Sequence, residues 1–275
     1  MKYIARLLII SSGIAFGSYA QESCNNWNWN IQAGVAPTVW IDRSDFTAVS
    51  CNATSVLSLP NVLIPLFKFP QFNHLFHAPW IVGISISHES ECGLDLFAQF
   101  DYRRAKERTF TIPNLIIPNI DTISFAIVPQ ESYQALDAFL GLQYHYALSC
   151  INAAGFCGAK VGLIHRFKMD ATFITNSITV PFENETMGQR LFQKNTVPAV
   201  GAVWGLSGCI SEQLSWCLQV ELVAGCGPRV NTNIPFEFAI ESVLINPLLA
   251  PNNFLNEGIQ TEIYFPLTFG FKYLF

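Results

Sequence analysis

The chain has 275 residues, 51% of them hydrophobic and only 13% charged, with a net charge of −5 and a mean hydropathy of +0.31. It lacks any cluster of basic residues, which argues against nucleic acid or an anionic surface as partner. Beyond the N-terminus no apolar run reaches the roughly 18 residues a spanning helix needs, and the most apolar stretches, 56–69 and 243–251, are cut by prolines. A chain this apolar without such helices has the profile of a membrane β-barrel, because only helices and closed barrels satisfy every backbone group in lipid. A secreted β-sandwich is the soluble alternative.

In chain order, residues 1–20 read as an export signal. Lys2 and Arg6 are followed by the mostly apolar stretch 7–16 and the small-x-small site Ser18-Tyr19-Ala20. The mature domain, 21–275, begins at Gln21, and Cys24 lies too far on to be a lipidated cysteine. Eight segments then alternate in period two: 27–40, 80–87, 93–102, 134–148, 157–168, 197–207, 216–226 and 261–275. In the third, Leu94, Leu96, Ala98, Phe100 and Tyr102 oppose Asp95, Phe97, Gln99 and Asp101. In the last, Ile263, Phe265, Leu267, Phe269, Phe271, Tyr273 and Phe275 share one face.

The connections run long, short, long, short, long, short, long, beginning with 41–79 and 88–92. Transmembrane barrels have short periplasmic turns and long external loops, so this order puts both termini in the periplasm and four loops outside. A sandwich has no reason to alternate in this way. A ten-stranded barrel is the variant, if 109–117 and 122–128 enter the wall as a further hairpin.

The Phe-Lys-Tyr-Leu-Phe ending, with Phe271, Tyr273 and Phe275 in step, resembles the C-terminal signal that the barrel assembly machinery recognises in bacterial outer-membrane barrels. With the export signal and the Trp-Asn-Ile-Gln-Ala-Gly-Val-Ala-Pro opening at 29–37, the chain resembles eight-stranded outer-membrane proteins, the OmpA-like transmembrane and opacity-type barrels. The resemblance implies an all-β, antiparallel, up-and-down transmembrane barrel of about eight strands in the outer membrane. It also implies outer-membrane lipid as surroundings and a non-enzymatic role in envelope integrity and surface interaction with a ligand or host partner. No cofactor is expected. Cell-wall tethering, which belongs to longer relatives with a further domain, is not carried over.

Eight cysteines in an exported chain suggest an oxidising compartment. Cys150 with Cys157, Cys209 with Cys217, Cys24 with Cys92 and Cys51 with Cys226 can each pair on one side of the membrane, although eight cysteines allow 105 connectivities. A zinc site is the rival, and no CxxC pair supports it. The inward faces hold Asp95, Asp101, Asp137, Lys160, Arg166, Lys168, Glu221, Glu262 and Lys272, with Gln99, Gln143, His145 and Gln219. In a barrel this narrow, side chains of mixed sign are expected to pair and fill the interior; a small porin is the alternative.

An outer-membrane lipid hydrolase would draw on His74, His77, His88, His145 or His165, but neither G-x-S-x-G nor H-E-x-x-H occurs. Trp27, Trp29, Trp40, Trp80, Tyr102, Tyr144, Tyr146, Trp204, Trp216 and Tyr273 lie mostly near strand ends, where interfacial anchors are expected. The loops are unusually apolar, notably 57–76, 110–128 and 234–255, and are expected to fold over the barrel mouth, to pack on one another or to meet a partner, with mutual packing favoured over a partner.

Overall fold

The computed structural model describes residues 27–41, 72–88, 90, 93–117, 121–148, 153–177, 185–228 and 261–274. The expected export signal, Cys24, Cys51, Cys92, Cys150, Phe275 and the apolar stretch 234–255 lie outside them, as do residues 42–71.

Alternation produces long antiparallel strands: β1 (Trp27–Val35), β2 (Thr38–Ile41), β3 (Trp80–His88) and β4 (Leu94–Ala105) come first. A hairpin follows, β5 (Phe110–Ile117) and β6 (Asp121–Pro129), then β7 (Tyr133–Leu148) and β8 (Ala153–Arg166). A second hairpin, β9 (Met169–Ser177) and β10 (Glu185–Phe192), precedes β11 (Asn195–Cys209), β12 (Leu214–Cys226), β13 (Thr261–Tyr264) and β14 (Leu267–Leu274). One helical turn, α1 (Phe72–Leu75), lies between β2 and β3.

The wall is a closed barrel of eight staves, each paired with its neighbours in sequence, from β1 with β3 round to β11 with β12 and β12 with β14. Closure is made by β1 on β14, in register from Asn28 opposite Leu274 to Val35 opposite Leu267. The first and last staves are each broken once, at Ala36-Pro37 and at Phe265-Pro266, so that β1 with β2 and β13 with β14 form single staves. Proline has no N–H for the ladder. The neighbouring groups are re-paired across the breaks: Phe265 donates its N–H to the Pro37 carbonyl (2.9 Å) and Glu221 to that of Pro266 (2.9 Å).

The ten-strand variant is not what forms. β5 and β6 pair as a hairpin, but β6 then pairs with β9 rather than with the wall, giving a separate four-stranded sheet in the order β10-β9-β6-β5. This sheet rises from the long-connection end. At about 3.3 Å per residue and a tilt of about 40°, the 16-residue β7 stands about 40 Å tall. The apolar band of such barrels is about 25 Å, so part of the wall stands clear of it.

The barrel is inside-out relative to a water-soluble protein. Ile31 (68% exposed), Leu140 (62%), Val161 (62%) and Val200 (59%) point outwards, while Asp95, Gln99, Asp137, Lys160 and Glu262 are buried inside. In water this much contiguous apolar surface would drive aggregation; in hydrocarbon it is the required wall. Inward glycines make room for large side chains of the next strand. A Cβ on Gly141 would lie 2.5 Å from Cζ of Phe97, and one on Gly205 2.1 Å from Cζ of Phe156.

Candidate functional site

The lumen is filled in three storeys. Nearest the long connections, the Arg103 guanidinium donates to Asp137 through Nε (2.7 Å) and Nη2 (3.2 Å), and to Glu262 through Nη1 (2.8 Å). Arg166 donates from Nε to the other oxygen of Glu262 (2.8 Å) and from Nη2 to the Cys226 carbonyl (2.7 Å). The hydroxyls of Tyr133 and Tyr264 donate to Glu262 and Asp137, and Arg103 lies 3.6 Å above the Tyr264 ring centroid. Two cations thus meet two carboxylates with their hydrogen-bonding capacity well used, the condition under which a buried ion network is tolerated.

The middle storey centres on Lys160, which is paired with Glu221, donates to Gln99 Oε1 (3.3 Å) and lies 4.2 Å from the Phe139 ring centroid. Gln99 donates to Asp101 (2.7 Å) and Glu221 (2.9 Å), and Gln32 donates to Asp101 (3.3 Å). Towards the short turns, His145 Nε2 lies 2.8 Å from Asp95 Oδ2, beside a small apolar plug of Phe97, Phe156, Val203 and Cys217. The Asn28 amide, Asn30 Oδ1 and Thr268 Oγ1 are buried without a protein partner. Buried polar groups of this kind are ordinarily satisfied by water.

Above the upper storey sits an aromatic cap. Phe72 of α1 packs edge-on against Trp40 (5.1 Å between centroids) and Tyr133 (5.1 Å), and Phe192 of β10 closes on both from the far side. The segment around α1 is stitched to the connection between β4 and β5 by His77 N–H to the Lys106 carbonyl (2.9 Å) and Arg108 N–H to that of Leu75 (2.7 Å). The Glu107 carboxylate there is held below its usual range by its own backbone N–H and by the Ser132 hydroxyl.

Seven of the nine charges expected inside, Asp95, Asp101, Asp137, Lys160, Arg166, Glu221 and Glu262, are buried in the lumen. Lys272 is half-buried on the inward side of β14. Lys168 is not inside: β8 ends at Arg166, and Lys168 is exposed in the connection to β9. Arg103, the hub of the upper storey, lies one residue beyond the expected end of the third strand at Tyr102; the step from Asp101 to Arg103 continues the same period. Trp40, expected among the interfacial anchors, is instead 2% exposed within the cap.

Cys209 and Cys217 are not paired. Ser207 lies opposite Cys217 and Ser215 opposite Cys209, leaving one thiol buried in the lumen and the other exposed at the turn. Cys157 and Cys226 are also free thiols. The histidines lie apart: His74 stacks on Phe110, His88 meets Trp27 edge-on, His145 pairs with Asp95, and His165 bonds Thr196. Tyr273 and Phe271 point outwards, and the Tyr273 hydroxyl lies 3.1 Å from the Gln213 side chain in the last short turn.

No protein-family model matches the chain, and no curated protein does. Among solved structures it is similar to Neisserial surface protein A, at 12% identity over 90% of this chain and 97% of that one, with a TM-score of 0.36. It is also similar to Ail, the attachment invasion locus protein of Yersinia pestis, crystallised with the heparin analogue sucrose octasulfate (10%, 90% and 99%, 0.35). A third is the outer membrane protein OprG from Pseudomonas aeruginosa (12%, 91% and 97%, 0.33). At such identities and scores the likenesses carry no functional weight, and the barrel rests on its own strand register.

Proposed function

We propose that this chain is a non-enzymatic outer-membrane barrel with a closed lumen, which strengthens the envelope and offers its external sheet to a surface ligand or host partner. The observation that carries this reading is the sealed mouth. The Arg103–Asp137–Glu262–Arg166 network and the aromatic cap of Trp40, Phe72, Tyr133 and Phe192 stand one above the other in the same end of the lumen. A solute would have to break both. The outward apolar wall supports placement in lipid, and the Phe271, Tyr273 and Phe275 ending supports insertion by the barrel assembly machinery.

The test is single-channel conductance of the refolded mature protein in a planar bilayer, with a boiled-versus-unboiled gel shift to show that the barrel is compact. Silence from compact protein is expected. Steady, discrete openings would refute the closed-lumen reading and make the protein a small porin, the reading that the buried, unpartnered polar groups of Asn28, Asn30 and Thr268 favour.

A further inference from the structure

The outer wall carries a recess of about 490 Å³ lined by His165, Phe167, Lys168, Gln193 and Lys194. Its place follows from strand parity. Residues 161, 163 and 165 of β8 face outwards, opposite the buried Lys160, Ile164 and Arg166, and on β11 Val200, Pro198 and Thr196 do the same. The recess therefore sits immediately above the lipid-facing Val161, Leu163 and Val200, where the apolar band gives way to the polar rim.

Its chemistry suits one kind of occupant. His165 Nδ1 lies 2.8 Å from the Thr196 hydroxyl, which orients the ring and leaves Nε2 for a ligand. Phe167, 39% exposed, meets His165 edge-on at 5.4 Å and gives the recess an aromatic wall. Lys168 and Lys194 are exposed and bring two ammonium groups, and among the described residues no acid lines the recess; Asp170, close by in sequence, lies opposite Arg190 in the β9–β10 ladder. The setting agrees. Among the described residues the exposed cations Arg104, Lys106, Arg108, Lys168 and Lys194 all stand at the long-connection end, and none stands at the short-turn end.

We infer that this recess binds the phosphorylated headgroup of an outer-leaflet lipid, with Lys168 and Lys194 on the phosphate, Gln193 and His165 on its neighbouring polar atoms, and acyl chains running down over Leu163 and Val161. Charge-assisted bonds to phosphate are the strong ones, and a lysine acts on phosphate as a point charge. This inference rests on the outer-membrane reading, because the long-connection end must face the outer leaflet.

The experiment titrates refolded mature protein in detergent with bisphosphorylated lipid A, following the bound fraction by native mass spectrometry. The gel shift is run on every sample. Lys168→Gln with Lys194→Gln should weaken binding about tenfold, at roughly 0.7 kcal/mol for each exposed charge. Dephosphorylated lipid A should bind the unaltered protein about as weakly as the phosphorylated form binds the double variant. The control, Lys106→Gln with Arg108→Gln, should change little.

Equal binding by the two lipids, or an equal loss in the control, would overturn the site in favour of hydrophobic or diffuse attraction. Full displacement by millimolar inorganic phosphate would overturn the lipid and leave a free-anion site. A protein that never gives the heat-modifiable compact form fails the barrel reading itself, which separates that failure from failure of the site.

Discussion

Replacing Arg103 with alanine is the sharpest probe of the closed lumen. The side chain is fully buried, makes three hydrogen bonds to Asp137 and Glu262, and covers the Tyr264 ring. Its removal leaves Asp137 with the Tyr264 hydroxyl alone among those partners, while Glu262 keeps Arg166. Breaking one side of a buried pair costs about 3–5 kcal/mol. With a urea slope of about 2 kcal/mol per molar, the unfolding midpoint of the refolded barrel should fall by about 2 M. Arg103→Met combined with Asp137→Asn removes both charges and preserves Arg166 with Glu262, so it should recover more than half of that loss. If Arg103→Ala cost less than about 1 kcal/mol, water would be solvating the orphaned carboxylate, and the argument that this storey is dry and sealed would fail.

Three further outcomes follow from the same geometry. Phe72→Ala should cost about 3 kcal/mol or more, and because the cap lies above the ion network the loss should register first as protease cleavage in β9 or β10; unchanged cleavage would dissociate cap from sheet. In single-cysteine variants, a membrane-impermeant maleimide should label Cys226 on intact cells and Cys209 only after the envelope is opened, since both are exposed but at opposite ends; the reverse pattern would invert the topology. Tyr273→Ala with deletion of Phe275 should lower the amount of assembled, surface-exposed barrel, and full assembly of that variant would remove the case for the terminal strand as an assembly signal.

Much of the barrel was legible because two signals act independently. Period-two alternation locates each stave and its faces, and alternating loop length orders them. Seven interior charges followed from face alone. What escaped depends on ends and partners. Lys168 lies two residues beyond the end of β8, where alternation no longer assigns a face, and Arg103 lies just past Tyr102, although the period itself extends to it. Trp40 was read as an anchor from its position near a strand end, whereas parity with Asn28, Asn30 and Gln32 already pointed it inwards. The separate sheet was harder to find. The sequence of β5 and β6 reads equally well as two more staves, since alternation specifies a strand and its faces but not its neighbour, and the pairing of β6 with β9 decides the matter.

That pairing also explains why the external sheet is a firm platform rather than a set of loose loops. One continuous apolar core contains Ile81, Ala135, Ile164 and Val223 of the wall, Phe72 and Leu75 of α1, Ile127 of β6, Met169 and Ala171 of β9, and Leu191 and Phe192 of β10. A two-stranded hairpin is marginal in water, and two hairpins gain independent stability only by adding strands and packing against something else. Here they do both, and the surface on which they pack is the stopper of the barrel. Sealing the lumen and holding the external sheet are therefore one structural act. A channel would have to give up the apolar base that positions its own outer surface.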